Sequence, residues 1–201
     1  MTAEKTIKGI LFDFDGTLTT PGALDFPAIK RDIGCPEDIP VLEFLEKQPA
    51  SRRAELMRIL DAKEEGAAKS SSPNRGAEEC LSTLKEKGIL LGIITRNSRK
   101  SVILALEKFD GFEIKDFAAI VTREEALPKP NPDGVFKAAA LMGLSTAELI
   151  VVGDFRFDVM AGKAAGAHTV FLTNGGKSGM LQGDPDPGYS ITYLEDIHKI
   201  L

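Results

Sequence analysis

The sequence predicts an α/β fold in which a Rossmann-like parallel sheet carries helices on both faces and a small α-helical cap is inserted. Two observations predict the sheet: short apolar runs alternate with segments of helical period, and glycines follow several of those segments. A third observation predicts the insertion. Roughly sixty residues separate the first apolar run from the first helix of the alternation, whereas such connections usually take about 2–6 residues.

The core elements follow from this alternation. Apolar runs rich in branched residues predict buried strands, and the segments of helical period between them predict crossover helices, most of which stop before a glycine. The predicted strands span residues 7–12, 89–95, 117–121, 149–152 and 169–172. The predicted helices span residues 76–87, 98–109, 132–142 and 157–165. Strands that alternate with helices in this way are typical of βαβ units and a parallel sheet.

The long segment after the first strand has a helical periodicity of its own. Its apolar positions indicate three short amphipathic helices: Phe26, Ile29 and Ile33; Val41, Leu42 and Leu45; and Leu56, Ile59 and Leu60 with Lys63. Residues 18–22 and 70–74, which flank these helices, are rich in Ser, Thr, Pro and Gly, as hinges are. We therefore predict a helical cap at residues 19–74, with flanking hinges, on a core formed by residues 1–18 and 75–201.

Composition excludes several functional classes. Hydrophobic residues make up 43% of the 201 residues, enough for a buried core, but no apolar stretch approaches the roughly 20 residues of a membrane span. The formal net charge of −5 argues against a general nucleic-acid surface. Cys35 and Cys80 form no Cys-x-x-Cys pattern, which favours free thiols in a reducing compartment. We expect a cytoplasmic protein, a monomer or weak homodimer, without nucleic-acid or membrane partners.

Two carboxylates follow the first predicted strand. Asp13 and Asp15 are two residues apart, so on an extended chain they can face the same volume, and two close anions need a cation. Taken alone, the pair is more typical of a turn.

Polar residues downstream favour a site over a turn. Thr95 and Asp154 end later strands, Asp158 lies one helical turn after Asp154, and Lys129 precedes a helix between two prolines. Ligands of open α/β sheets bind at the carboxyl ends of the strands, so one site can hold all of these residues.

These residues resemble the four ordered motifs of the haloacid dehalogenase superfamily. The motifs are Asp13-Phe14-Asp15-Gly16-Thr17, Thr95, Lys129, and Gly153-Asp154 with Asp158. The helical insertion between the first two motifs resembles the cap of the phosphoglycolate phosphatase and β-phosphoglucomutase relatives. The resemblance implies a Rossmann-like core, Mg²⁺ and an aspartyl-phosphate intermediate.

The resemblance also implies roles for the catalytic residues. Uncatalysed phosphate-monoester hydrolysis is very slow, and a carboxylate divides the reaction when it takes the phosphoryl group before water does. We assign Asp13 as the nucleophile and Asp15 as the general acid and base. Lys129 would offset the charge of Asp13 and of the transferring phosphoryl group.

Metal and substrate ligands are assigned in the same way. Asp13 and Asp154 would bind Mg²⁺ through their carboxylates, and Asp15 through its backbone carbonyl. Asp158 would either support the metal or orient Lys129. 

The substrate phosphate would contact Thr95, Lys129 and the backbone N–H groups after Asp13. Arg96 is a further candidate, although relatives often carry asparagine there. Arg52 and Arg53 in the insertion are interpreted as exposed residues, with contact to an anionic substrate as the alternative. The Gly-Gly-Lys-Ser run at residues 175–178 lacks the first glycine of a phosphate loop and is predicted to be a surface loop.

The expected function is a Mg²⁺-dependent phosphatase for a small soluble phosphomonoester, such as phosphoglycolate or a sugar phosphate. Three alternatives remain open. A phosphomutase would share the core residues and differ in the phosphoryl acceptor. A 2-haloacid dehalogenase would use the first aspartate but needs neither a metal nor a proton donor. A catalytically silent module would bind a phosphorylated ligand without turnover.

Overall fold

A six-stranded parallel sheet forms the centre of the structure, a computed structural model that describes residues 6–176 and 179–201. The order across the sheet is β3-β2-β1-β4-β5-β6. The strands are β1 (Gly9–Phe12), β2 (Leu90–Ile94), β3 (Ala119–Val121), β4 (Leu149–Gly153), β5 (His168–Leu172) and β6 (Tyr189–Ile191). Residues 1–5 of the predicted core, and Lys177 and Ser178 of the predicted surface loop, lie outside the described residues.

The predicted strands are confirmed, with ends that differ by one or two residues. Strands β1 and β4 are buried along their whole length, because helices cover both faces of the sheet. Phe12 pairs with Ile93 on one side and with Val152 on the other, so three strands end at the same level. The sixth strand was not predicted, since Tyr-Ser-Ile is too short and polar to stand out.

Seven α-helices accompany the sheet within the described residues. They are α1 (Phe26–Ile33), α2 (Val41–Glu46), α3 (Ala50–Ser70), α4 (Ala77–Glu86), α5 (Arg99–Leu106), α6 (Asp133–Met142) and α7 (Arg156–Ala165). As predicted, α6 and α7 end at glycines in the left-handed conformation, Gly143 and Gly166. Ser98 caps α5, where its hydroxyl oxygen accepts a hydrogen bond from Ser101 N–H.

The sheet has one apolar cluster on each face. Alternate strand residues such as Ile10 and Phe12 pack with helices α4 and α5, whereas Leu11 and Val151 pack with α6 and α7. The three-layer arrangement predicted from the sequence is therefore present.

The insertion at residues 19–74 contains the three expected helices, α1 to α3, around a separate apolar cluster that includes Ile33, Leu45 and Leu56. The third helix is longer than the apolar pattern predicts and continues to Ser70, which was assigned to a hinge. Its buried positions are Leu56, Leu60, Glu64 and Ala68, four residues apart. Because Glu64 is charged, the apolar pattern ends at this position, although the helix continues.

The two connections of the insertion run side by side. Thr19 and Pro73 form an antiparallel bridge, and Thr20 N–H donates to the Ser72 carbonyl at 3.0 Å. Asn74 N–H donates to the Leu18 carbonyl at 2.8 Å. The segments predicted as hinges are thus hydrogen-bonded to each other.

Within the described chain, no helix combines the length and apolar character that a bilayer span needs. Cys35 and Cys80 are both free and buried, as expected from their spacing. Burial raises the pKa of the Cys80 thiol to about 12.

Replacing Leu81 by alanine tests the packing between α4 and the sheet. Leu81 is fully buried, so Leu81→Ala should lower the free energy of unfolding by about 2–5 kcal/mol in chemical denaturation. Leu141, which is 63% exposed on α6, is the matched control, and Leu141→Ala should cost less than about 0.5 kcal/mol. Equal effects of the two substitutions would contradict this packing.

Candidate active site

Asp13 stands at the carboxyl end of the central strand β1. Its N–H donates to the Val152 carbonyl at 2.8 Å, which continues the pairing of β1 with β4 by one residue. The loop that follows is fixed from two sides. Asn74 donates through Nδ2 to the Thr17 carbonyl at 2.8 Å, and Asn174 donates through Nδ2 to the Gly16 carbonyl at 2.7 Å.

The ammonium group of Lys129 lies beside Asp13 and is almost fully buried. Its Nζ is 2.5 Å from Oδ1 of Asp13, 2.6 Å from Oδ1 of Asp158 and 2.9 Å from the Ile94 carbonyl oxygen. An ammonium has three N–H donors, and each has an acceptor here. Burial lowers the pKa of Lys129, but the charges of Asp13 and Asp158 outweigh it and raise the pKa above its usual value.

Three carboxylates form a cluster at this point. Asp13, Asp154 and Asp158 each offer one oxygen, and these oxygens lie within 4.8 Å of one another. Burial, reinforced by the neighbouring carboxylates, raises the pKa of Asp154 to about 8. Burial also raises the pKa of Asp158 to about 6, against the opposing charge of Lys129. Three acids and one ammonium leave an excess of negative charge, so the donor set fits a hard divalent cation such as Mg²⁺.

Two glycines make room for these acids. Gly16 has a φ of +76°, and a Cβ there would lie 2.2 Å from Oδ2 of Asp154. A Cβ on Gly153 would lie 2.2 Å from Cγ of Asp158. A side chain at either position would displace a carboxylate of the cluster.

Asp158 has partners for both of its oxygens. Oδ1 accepts from Lys129, and Oδ2 accepts from Phe155 N–H at 3.1 Å. Of the two roles considered for Asp158, this arrangement favours orienting Lys129.

Asp15 has a different environment from the cluster. Its carboxylate accepts a hydrogen bond from Nδ2 of Asn97, and burial, followed by the charges of Asp13 and Glu64, raises its pKa to about 7. Sequence reasoning missed Asn97. The sequence did offer a signal for it, because an amide side chain two residues after Thr95 lies close to the end of a predicted strand.

Thr95 and Arg96 begin the loop after β2, and both line the cavity of the site. Thr95 N–H donates to the Val121 carbonyl at 3.0 Å, and its hydroxyl oxygen accepts from Asn97 N–H at 3.1 Å. Arg96, a candidate substrate ligand, forms an ion pair with Glu43 of α2, with N–O distances of 2.6 and 2.9 Å. It also donates to the Lys129 carbonyl. The Arg96 guanidinium, which was expected to bind substrate, is therefore neutralised by Glu43, a carboxylate of the insertion.

The site opens into a cavity of about 630 Å³ between the core and the insertion. Core residues such as Asp13, Asp15 and Lys129 line it together with insertion residues such as Leu42 and Glu64. The predicted residues of all four motifs therefore come together at one end of the sheet.

A buried ion pair connects the insertion to the core beside this cavity. Nη1 of Arg123, in the loop after β3, lies 2.6 and 2.7 Å from the two oxygens of Glu64 in α3. Glu64 also accepts from Ser98 N–H at 3.1 Å, and Arg123 pairs with Asp61 as well. Burial raises the pKa of Glu64, although the Arg123 charge opposes this. Sequence analysis did not identify this contact.

Comparison with known proteins agrees with this geometry. Residues 28–172 match the family described as haloacid dehalogenase-like hydrolase. The chain belongs to the haloacid dehalogenase-like hydrolase family. The family resemblance inferred from the motifs is therefore confirmed.

Some relatives of this haloacid dehalogenase-like hydrolase carry phosphatase names. An uncharacterized hydrolase of Saccharomyces cerevisiae is 34% identical over 85% of this chain and 79% of its own. The pyrophosphatase PpaX of Bacillus velezensis is 30% identical over 98% of this chain and 97% of its own. The crystal structure of a predicted phosphoglycolate phosphatase from Haemophilus somnus has a TM-score of 0.75 at 21% identity, covering 96% of this chain and 97% of that one. This structural likeness confirms the fold.

Replacing Arg123 tests the buried pair of this haloacid dehalogenase-like hydrolase. Arg123→Met leaves Glu64 buried without its counter-charge, so the free energy of unfolding should fall by about 3–5 kcal/mol in denaturant titration. Arg52, which pairs with Glu55 on the exposed side of α3, is the control, and Arg52→Met should cost less than about 1 kcal/mol. A small loss for Arg123→Met would mean that the pair does not hold the insertion on the core.

Proposed function

We propose that this protein is a Mg²⁺-dependent phosphatase that hydrolyses a small phosphomonoester through an aspartyl-phosphate intermediate. The observation that carries the proposal is the position of Asp13. Its carboxylate lies 2.5 Å from the ammonium of Lys129 and within the three-acid cluster that fits a divalent cation. Lys129, together with Mg²⁺ when it is bound, would supply the positive charge that the approach of an anionic substrate to this carboxylate requires.

The chemistry begins with the attack of an Asp13 carboxylate oxygen on phosphorus. The bond between phosphorus and the leaving oxygen breaks, and Asp15 donates its proton to that oxygen. Asp15 then takes a proton from water, which attacks the phosphorus of the aspartyl phosphate and releases inorganic phosphate and free Asp13. A pKa of about 7 suits Asp15 to both proton transfers near neutral pH.

The remaining residues position these groups. Asp158 and the Ile94 carbonyl hold the Lys129 ammonium against Asp13, and the Asn97 amide holds the Asp15 carboxylate. The Thr95 hydroxyl and the N–H groups after Asp13 would bind the phosphate oxygens. 

Asp13 and Asp154, with the Asp15 backbone carbonyl, would hold Mg²⁺. When bound, the metal would neutralise charge between the nucleophile and the phosphate.

The insertion acts as a cap in this proposal and excludes bulk water from the cavity. Residues 1–18 and 75–201 would then form the catalytic core. Two free, buried thiols agree with a cytoplasmic enzyme. Its partner would be a small phosphorylated metabolite, and the enzyme itself a monomer or weak homodimer.

A phosphomutase remains the second candidate, because it would use the same core residues and pass the phosphoryl group back to a sugar. Analysis of the products formed from a hexose 1-phosphate distinguishes the two reactions. A dehalogenase is less favoured, because halide leaves without a proton and the raised pKa of Asp15 would then have no use. A silent binding module would bind phosphate in the presence of Mg²⁺ without turnover.

Asp13→Asn should lower the Mg²⁺-dependent release of phosphate from p-nitrophenyl phosphate by at least about a thousand-fold, because the amide is a poor nucleophile. Asp186→Asn, at an exposed position, removes the same charge and should leave turnover unchanged. Thermal unfolding of both variants checks that they are folded. Retained turnover in folded Asp13→Asn would remove Asp13 as the nucleophile.

Metal addition provides a separate test of the acid cluster. Mg²⁺ at a hundred times its dissociation constant should stabilise the protein by about 2.7 kcal/mol, which differential scanning fluorimetry detects as a higher Tm. Asp154→Asn should lose most of this shift, whereas Asp186→Asn should keep it. Phosphate release should stop in excess EDTA and return with Mg²⁺, and full activity in EDTA would exclude a metal-dependent reaction.

A further inference from the structure

The part of the cavity beyond Asp13 has largely apolar walls. Residues of the insertion and of the segment after β4 supply them: Leu24, Val41, Leu42, Leu60, Phe155 and Phe157. Phe26 and Phe155 both line the cavity while 49% and 47% exposed. Aromatic and aliphatic side chains left exposed in a concave site are typical of contact with an apolar ligand group.

Three of the four basic residues that line the cavity in the described chain pair with carboxylates. Among the described residues, those with basic side chains that line it are Lys30, Arg96, Lys129 and Arg156. Lys129 pairs with Asp13 and Asp158, which belong to the phosphate site. Arg96 pairs with Glu43 at 2.6 Å, and Arg156 pairs with Asp184 at 2.5 Å.

The fourth basic residue, Lys30, has a backbone carbonyl as its partner. Its Nζ donates to the backbone carbonyl of Glu37 at 2.5 Å, and Glu37 and Asp38 line the same cavity. Glu64 also lines the cavity, but its charge is balanced by Arg123. Among the described residues, a second anionic group on the substrate would therefore find Lys30 as the one lining cation without a carboxylate partner, with Glu37 and Asp38 in the same lining.

Glu43 neutralises the positive charge of Arg96. Its carboxylate binds both terminal nitrogens of Arg96, and the Arg96 guanidinium lies 5.2 Å from the centre of the Phe157 ring in the cavity wall. Burial tends to raise the pKa of Glu43, but the Arg96 guanidinium holds it below its usual value, so Glu43 stays charged. Without Glu43, Arg96 would present a free positive charge to the leaving group.

We propose that the substrate is a phosphomonoester with an uncharged, partly apolar leaving group, and that Glu43 sets this preference by neutralising Arg96. The inference rests on the proposed phosphatase function and deepens it. It departs from the expectation of phosphoglycolate, whose leaving group carries a carboxylate, and it disfavours pyrophosphate, which carries a second phosphate.

A matched pair of substrates tests the preference. Phenyl phosphate and 3-carboxyphenyl phosphate share a ring and differ by one carboxylate. The protein loaded with Mg²⁺ should have a kcat/KM about ten-fold higher for phenyl phosphate, because the carboxylate meets the acidic wall. Inorganic pyrophosphate and 2-phosphoglycolate should be still poorer substrates. A higher kcat/KM for 3-carboxyphenyl phosphate or for 2-phosphoglycolate would overturn the proposal.

Substitution of Glu43 tests the origin of the preference. The ratio in question is kcat/KM for phenyl phosphate divided by kcat/KM for 3-carboxyphenyl phosphate. Glu43→Gln should reduce this ratio by about 3- to 10-fold, because the substitution releases the Arg96 charge. Glu55→Gln, which removes an exposed charge of α3 outside the cavity lining, should leave the ratio unchanged. The double variant Glu43→Gln/Arg96→Gln should return the ratio towards the wild-type value, because the released charge is gone. An unchanged ratio in folded Glu43→Gln would refute the role of Glu43.

Binding separates failure of this inference from failure of the proposed function. Phenylphosphonate and 3-carboxyphenylphosphonate cannot be hydrolysed, and their dissociation constants can be measured by calorimetry with Mg²⁺ present. Tighter binding of phenylphosphonate supports the preference even if no substrate turns over, in which case only the phosphatase function fails. Turnover with tighter binding of the carboxylated phosphonate refutes the preference alone.

Discussion

The buried contact between Lys129 and two aspartates is the constraint on which the site depends. An ammonium ion loses its hydration when it is buried, so it must find three acceptors, and here they come from three parts of the chain. Asp13 follows β1, Ile94 ends β2, and Asp158 lies in the first turn of α7. The sheet must therefore hold its strand ends at one level, which the aligned register of β1, β2 and β4 provides.

A different kind of contact holds the insertion against the core. The apolar cluster of the insertion is separate from the two clusters of the sheet, and charged pairs span the boundary at Glu64–Arg123 and Glu43–Arg96. Apolar burial has no preferred direction, whereas an arginine–carboxylate pair fixes both distance and orientation. The helices of the insertion are thus held over Asp13 largely by these charged pairs, while Ala68 of α3 packs in the apolar cluster that also contains α4 and α5.

The sequence was sufficient for strands β1 to β5, for the presence of helices α1 to α7 and for the four motifs, because each depends on neighbours within one turn or one strand. Pairs between distant residues were not predictable. Glu64 and Arg123 are 59 residues apart, and each resembles an ordinary surface charge until the fold brings them together. Asn97 was missed because its partner Asp15 lies 82 residues away. Strand β6 and the full length of α3 were missed because their apolar patterns are weak or interrupted.

The paired connections at Thr19 and Pro73 have a mechanical consequence. Two separate connections would let the helices of the insertion tilt and slide in several directions. Connections that are hydrogen-bonded to each other would restrict the insertion to rotation about a single axis. Asn74 belongs to one of these connections, and its side-chain amide also donates to the carbonyl of Thr17, four residues after Asp13. Rotation of the insertion about this axis would therefore also shift the Thr17 carbonyl, so the position of the insertion and the geometry of the loop that begins at Asp13 would be coupled.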